Sequence, residues 1–526
     1  MVEGVAVVAG DSRGMSRREL FAALAVAGAV PLVASACAPG PGAAPTPPPP
    51  GSPEAGIFPD GVKAGDPAPD GAVIWTRVLP PAGGGQQELT WMVGDGPDLD
   101  VIRAGGVVTA SAATGHTVAL RVAGLEPDRW YWYRFETPTG ASRVGRLRTA
   151  PAADKSPDHL RFAFASCQQI NDHCWFVAHR RIAEEGVDFL MHLGDYIYVS
   201  DTGTQTLDQY RDRYRRWHQQ RLLRDLHAQV PIVAMWDDGE FVNGVDKTMP
   251  EPRFSNAKQA WYENQPVLDS GDRQPQRAFS WGTLADIFMI DVRAHRDPPV
   301  MESAWDPTRS TLGAEQYDWF TSGLASSTAA WRVIGNPYNI NPWKLLDLEW
   351  LRGLDPSLPP DAGVYAPNEA WDNYRAERRD LLRFLGDRGI DNTMFCSAHT
   401  HIAMASDLRA DSTSPVTATD VVAGSLTADP DVRHAYFSEL PPEAAEQLIR
   451  VGEQWIVGQN PEMRYLNLID QGWVTVDVTP EETTFAVRAV DTAHENAEAR
   501  TIASFRVTSG KAGLNITSTS SSGTFG

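Results

Sequence analysis

Positive charge is scarce in this chain. Lys and Arg number 46 against 67 Asp and Glu, a net charge of −21 over 526 residues. So acidic a surface excludes non-specific nucleic-acid binding, which needs a cationic footprint. It also repels anionic substrates, so a phosphate site would have to make its own positive field, as bound metal ions do. Cysteine is scarce too: Cys37, Cys167, Cys174 and Cys396. With Cys37 in a leader, three remain, an odd number that argues against a disulfide framework and leaves at least one thiol for another task. Cys174 and Cys396 are the pair that could bridge. There is no Gly-x-Ser-x-Gly elbow, no P-loop and no internal repeat, which disfavours metal-independent serine hydrolysis.

What is present begins with a leader. From Met15 the chain reads MSRRELFAALAVAGAVPLVASAC, with a twin arginine (Arg17, Arg18), an uncharged run from Leu20 to Ala36 broken by Pro31, and small residues before Cys37. Residues 1–37 therefore read as a twin-arginine export signal rather than a retained anchor. The expected partner is the twin-arginine export machinery, and the mature protein is expected to be secreted, periplasmic or held at the cell surface. ASAC also has the form of a lipoprotein cleavage box with Cys37 as the acylated residue; cleavage after Ala36 and release is the alternative. Residues 38–54 form a Pro-rich tether that cannot pack a core.

Short alternating runs separated by Gly, Pro and Asp turns predict a small fibronectin-III-like β-sandwich over 55–150, among them AVIWTRVL, ELTWMV, HTVALRV and WYWYRFET. In GLEPDRWYWYRF a tyrosine is placed to tie a turn to its strand. From about residue 158 to 508 apolar strands alternate with helical stretches, which predicts a layered α/β or α+β core. Its strands are LRFAFAS, VDFLMHL, PIVAMW, ADIFMID, WRVIG and NTMFCSA; its helices include DQYRDRYRRWHQQRLLRDL and NYRAERRDLLRFLGDRG. Residues 509–526 read as a flexible tail.

Five of these strands deliver a metal-capable group just past their last apolar residue: Cys167; Asp195, with Tyr198 close behind; Asp237-Asp238; Asn336; and His399 with His401. Each alone is an ordinary turn. Together they fit a crevice at the carboxyl ends of strands. Thiolate, phenolate, carboxylate and imidazole suit a trivalent or high-affinity transition metal, whereas carboxylate, amide and imidazole suit a divalent ion. One carboxylate, Asp195, can serve both.

The motifs FASCQQ, LGDYIY, WDDGEFVNG, LADIFMIDVRAHRD, WRVIGNP, WDNYRAERRDLLRFL, HTHIAMASDL and GWVTVDVTPEETT resemble those of the alkaline phosphatase D (PhoD-type) group of the calcineurin-like and purple-acid-phosphatase-like metallophosphoesterases, over most of residues 55–500. The resemblance implies a metallophosphoesterase sandwich of central β-sheets flanked by helices. It also implies hydrolysis of a small phosphoester or phospholipid by a hydroxide on a dinuclear centre. Cys167, Asp195, Tyr198 and His401 would hold Fe(III). Asp195, Asp238, Asn336 and His399 would hold a divalent metal, Ca2+ as in the group, or Zn2+, since His399 stands where the group more often has Asp. Asp195, Asp238, His399 and Arg293 would carry the catalysis.

One departure matters. The family motif continues WDD with a histidine that assists the transferring phosphoryl group, and here Gly239 stands there. That opens a rival reading, a catalytically impaired, surface-tethered binding protein; phospholipase-D-type phosphodiester cleavage is the alternative within enzymes. His173, His192 and His295 are the candidate replacements. Arg293 and Arg296 are placed either for phosphate or for ion pairs with Asp291 or Asp297. Asp372 is expected to cap a helix.

Overall fold

The structure is a computed structural model and describes residues 56–171, 174–199, 203–366, 369–428, 437, 440–520 and 523–526. The leader, Cys37, the whole tether and His173 lie outside the described residues. Among the described residues no helix is long and apolar enough to cross a membrane.

The N-terminal region holds β1 (Val62–Ala68), β2 (Gly71–Arg77), β3 (Gln87–Gly94), β4 (Ile102–Ala110), β5 (Thr117–Val122), β6 (Trp130–Thr137), β7 (Gly140–Ala141) and β8 (Gly145–Arg148). β3, β4, β6, β7 and β8 make one sheet, and its inner residues Leu89, Val93, Tyr133, Phe135 and Leu147 share a core with Val62, Ile74 and Val122 of β1, β2 and β5. The Tyr131 hydroxyl accepts the Glu126 N–H at 3.0 Å, tying turn to strand. β1, β2 and β5 are not separate from the main domain. They extend its first sheet, because Gly65 of β1 pairs in parallel with Ile232. β1 lacks a clear strand signal, since Gly65, Asp66 and Pro67 interrupt it.

The main domain continues with β9 (Leu160–Ala165), α1 (Val177–Glu184), β10 (Phe189–Leu193), α2 (Leu207–His218), α3 (Arg221–Gln229), β11 (Ile232–Met235), α4 (Arg253–Asn264), β12 (Arg277–Trp281), β13 (Ala285–Met289), α5 (Ala314–Ser326), β14 (Trp331–Asn336), β15 (Lys344–Asp347), β16 (Gly363–Tyr365), α6 (Arg375–Asp387), β17 (Thr393–Ser397), β18 (Ala403–Arg409), β19 (Val416–Val422), α7 (Pro442–Gln459), β20 (Met463–Asn467), β21 (Gly472–Val478), β22 (Glu482–Ala489), β23 (Arg500–Thr508), β24 (Asn515–Thr519) and β25 (Thr524–Phe525). The first sheet runs β24-β23-β22-β21-β9-β10-β11-β1-β2-β5, and the second β12-β13-β14-β17-β19-β18-β20-β25. Their facing sides share one apolar core that includes Phe162, Met191, Met235, Ile287, Val333 and Cys396. α1 and α3 cover the outer side of the first sheet; α5 and α6 cover that of the second. The fold is thus a two-sheet α/β sandwich with flanking helices.

This layering explains the sequence texture. β10 is buried at all five residues, as a parallel strand covered on both faces must be, and reads as an apolar run interrupted only by His192. β22, nearer an edge, alternates half-buried and buried residues. β9, β10 and β11 are mutually parallel, as are β13, β14, β17 and β19. Their carboxyl ends therefore deliver successive loops to one rim. The long helix expected over 208–226 is two helices, broken at Gln219-Gln220. Asp372 does not cap α6: its carboxylate accepts the Trp343 N–H at 3.1 Å and pairs with Arg378 at 2.6 Å.

The flexible-tail expectation is corrected. β24 adds to β23, and β25 adds to β20 with Tyr465 opposite Phe525. The Phe525 ring lies 4.9 Å from that of Tyr465, and Asp407 accepts the Leu514 N–H at 2.8 Å. The segment is too polar to announce a strand, but two open sheet edges supply the partners its backbone needs. Phe525→Ala should cost about 1–2 kcal/mol, less than a fully buried phenylalanine would. Urea unfolding reads this, and an unchanged midpoint would show that β25 contributes nothing in solution.

Candidate metal centre

The rim is built from turns rather than from strands. Cys167, Asp195, His399 and His401 all have left-handed backbones, with φ of 61°, 52°, 74° and 62°. Non-glycine residues adopt this region at a cost, and it concentrates where function holds them there. Here it bends the chain sharply after β9, β10 and β17, so side chains that would have continued into solvent meet instead.

They meet in two groups. The ligand atoms of Cys167, Asp195 and His401 lie within 4.8 Å of one another, and so do those of Asp195, Asp237, Asp238 and His399. Asp195 belongs to both. Its Oδ2 is 3.4 Å from Cys167 Sγ and 4.0 Å from His399 Nδ1, and its Oδ1 accepts the Gly239 N–H at 2.8 Å. The Tyr198 hydroxyl is 3.1 Å from His401 Nε2, on the side of the first group. His399 Nδ1 lies 2.6 Å from Asp237 Oδ2 and 3.8 Å from Asp238 Oδ1.

A second layer holds these groups in place. Glu240 is fully buried, and its carboxylate accepts three main-chain N–H groups: Asp195 at 3.0 Å, Tyr196 at 2.6 Å and Asp237 at 2.8 Å. One side chain thus ties the turn after β10 to the turn after β11. Arg293, also fully buried, donates from Nε to Asp237, from Nη1 to Glu369 at 2.8 Å, and brings Nη2 within 3.2 Å of His399 Nδ1. Arg296 donates to the same Glu369 carboxylate at 3.0 Å and to its carbonyl at 2.9 Å. Neither arginine takes the ion pairs with Asp291 or Asp297 that the sequence allowed.

Other expected residues lie elsewhere. Asn336 reaches the rim but is hydrogen-bonded away from both groups: its amide N–H atoms go to Tyr338 O and Ser397 Oγ, and its oxygen accepts the Trp371 indole at 3.3 Å. His192 is buried inside β10, where burial drops its pKa to about 3. His295 stands half-buried against the turn at Gly313. At Gly239 a Cβ would come within 2.6 Å of both Asp195 Oδ1 and Ile197 O. No side chain enters there unless the Asp195 turn moves, so the glycine accompanies a closer packing of the two turns. Cys174 and Cys396 do not bridge; the Thr492 hydroxyl donates to Cys174 Sγ at 3.2 Å, and Cys396 is buried in the core.

The charge balance defines what this site suits. Burial, then the neighbouring Asp195, pushes the Cys167 thiol and the Tyr198 phenol well above their usual ranges. Burial, followed by Asp237 and Asp238, does the same to Asp195. Burial opposes the charge on Asp237 too, yet Arg293 and His399 bring its carboxyl down to about 2. Burial raises Glu240 to about 8 against its three N–H donors. Gathering this many acids beyond what one arginine can neutralise is costly unless a cation is shared among them. Asp237 Oδ2 meets the His399 imidazole at 2.6 Å, and Asp238 Oδ1 lies 3.8 Å from the same nitrogen, so one ring faces two carboxylates that a cation could share. The donor set therefore fits metal ions: one group is thiolate- and phenolate-rich, the other carboxylate-rich.

Sequence reasoning found the strand-end donors but missed Asp237 as a member of the second group, although it adjoins Asp238. Glu240 was visible only as part of a motif, and Glu369 sits in a loop with no local signal.

A two-sheet sandwich that collects thiol, carboxylate and imidazole donors at the ends of its parallel strands defines the metallophosphoesterase class. The family model for the PhoD-like phosphatase matches residues 162–487, and that for the PhoD-like phosphatase N-terminal domain matches residues 43–151. Alkaline phosphatase D of Bacillus subtilis (strain 168) is 31% identical over 473 residues, covering 81% of this chain and 76% of its own. The solved structure of PhoD superposes with a TM-score of 0.76 at 28% identity, covering 88% of this chain and 93% of its own. A purple acid phosphatase from yellow lupin (Lupinus luteus) seeds shares the fold at 12% identity, with a TM-score of 0.54 over 86% of this chain and 75% of its own. This chain belongs to the PhoD-like phosphatase family and is a phosphoester hydrolase.

Glu240, behind the ligands, and the Asp237–His399 pair among them can each be tested. Glu240→Gln leaves one acceptor oxygen for three N–H groups, and metal affinity or activity should fall about 10–100-fold, as for other outer-layer partners. Titration of the metal-stripped variant measures it, with circular dichroism confirming the fold; wild-type affinity would show that the turns hold without Glu240. The second concerns pH. Burial works against charge on His399, but Asp237 raises its pKa from 6.5 to about 9. In metal-free protein the stability from this pair is fully present below pH 6.5 and fades as pH passes about 9. The Tm difference between wild type and His399→Asn should be largest near the acid end and vanish at the alkaline end. A difference that grows with pH would contradict the pairing.

Proposed function

We propose that this chain is an exported phosphoester hydrolase whose site holds two cations on either side of Asp195. The carrying observation is that Asp195 is the one carboxylate common to both donor groups. Cys167, Tyr198 and His401 would hold iron(III) on one side. Asp237, Asp238 and His399 would hold a divalent ion, Ca2+ or Zn2+, on the other. Bound there, such metals would supply Lewis acidity and a nucleophilic water near neutral pH.

The protein's own residues do the rest. Asp195 is fixed from three directions: by its own N–H on Glu240, by the Gly239 N–H on Oδ1, and by its left-handed backbone. Arg293 keeps Asp237 ionised and oriented, and leaves Nη2 facing His399 and Asp238, where it adds positive charge beside the place a phosphoryl group would occupy. In an otherwise acidic molecule, that fixed cation offsets the missing family histidine at Gly239. His399, held by Asp237, is the remaining imidazole beside the second group and is assigned to that metal.

The reading is tested on one sample by turnover of an activated aryl phosphate, metal content and visible absorption. Turnover should disappear with a chelator and return with metal. Tyr198→Phe should remove a phenolate-to-iron absorption band and lower turnover. Full metal occupancy with no turnover would instead support the catalytically impaired, surface-tethered reading that Gly239 raises.

A further inference from the structure

Large apolar side chains are exposed unevenly. Of the fifteen found among the described residues, seven fall on two short segments, 346–354 and 440–455. α7 carries two apolar faces. Ala445, Ile449 and Ile456 are buried. Leu448, Val451 and Trp455 form a second stripe at helical spacing, exposed by 42%, 57% and 46%. The β15–β16 hairpin lies against this helix: the Trp455 indole donates to Leu345 O at 2.9 Å, and Gln459 Oε1 accepts the Asp347 N–H at 3.0 Å. From the hairpin Leu346, Trp350 and Leu354 are exposed by 38%, 66% and 78%. Isolated exposed leucines need no explanation, but a set of this size shared by two neighbouring elements marks an interaction surface.

Both elements leave the face that carries the metal centre. The hairpin is inserted between Asn336, at the end of β14, and Glu369, which grips Arg293. The chain leading to α7 departs from Thr427 and Ala428, whose N–H groups donate to the Cys167 carbonyl at 3.3 and 3.0 Å.

We propose that this platform docks the protein on a lipid bilayer surface of zwitterionic character, independently of any reaction at the metal centre. Three observations favour a bilayer. Tryptophans with leucine and valine around them suit the boundary between headgroups and acyl chains. The cations nearby are already paired, Lys344 with Asp347 at 2.9 Å, Arg352 with Glu349 at 2.7 Å and Arg450 with Glu453 at 2.7 Å, so no basic field selects anionic lipid. The sequence also ends a lipoprotein-type ASAC box at Cys37, nineteen positions before Gly56, the first described residue, and an acyl chain there would keep the molecule beside a membrane. A second copy is the poorer occupant, because two chains of net charge −21 repel one another.

The test is amide hydrogen exchange of the full chain with and without phosphatidylcholine vesicles. Exchange should slow at least about fivefold in 346–354 and 444–455, equally at low and high salt, as an apolar contact requires. Leu354→Asp and Val451→Asp, singly and together, should abolish that protection while leaving turnover of a soluble aryl phosphate unchanged. Leu268→Asp, at an exposed leucine elsewhere, should leave it intact. Absence of vesicle-dependent protection in these segments overturns the proposal. So does protection that is lost in high salt, or that depends on protein concentration without vesicles, the latter making a second copy the occupant.

Discussion

The constraint behind this structure is the crowding of buried acids around Asp195. Its carboxylate sits within 3.4 Å of a thiol and 4.0 Å of an imidazole, with two more aspartates across the turn. Apolar burial drives the fold, but it cannot stabilise such a cluster, since each added negative charge raises the cost of the next. The surrounding architecture limits that cost. Parallel strands bring the loops together, left-handed residues turn them inward, and a buried arginine and a triply hydrogen-bonded glutamate fix them there.

Rigidity and charge are therefore handled by different residues. Glu240 works through main-chain N–H groups and sets where the turns are. Arg293 works through side chains and sets which carboxylate stays ionised. Glu369 links Arg293 to Arg296, whose guanidinium also holds the Val245 carbonyl, so the loop after β11 and the loop before α6 share one anchor. Gly239 fits this packing: its bare Cα lets the turn after β11 close on Asp195.

Much of this was legible in the sequence, for a physical reason. A buried parallel strand is a short apolar run, and the polar residue that ends it is conspicuous, so Cys167, Asp195, Asp238 and His399 could be read as strand-end groups and the two-layer core anticipated. Residues that act at a distance from any strand end were not legible. Glu369 lies in an irregular loop, and Asn336, correctly placed at a strand end, is committed to Trp371 and Ser397 by contacts that only the folded chain creates. The N-terminal strands read as a domain of their own because a strand pattern carries no record of which sheet it joins; β1 crosses to pair with β11. The C-terminal strands were hidden for the opposite reason, their polarity concealing an edge pairing that the neighbouring strands impose.

The central claim is that one carboxylate serves two cations, and anomalous diffraction from crystals of the metal-loaded protein tests it most directly. The account predicts two anomalous peaks on opposite sides of Asp195, each within coordination distance of its carboxylate, with the iron-edge signal on the Cys167 side. A single peak, or two peaks of which one lies out of reach of Asp195, would contradict it.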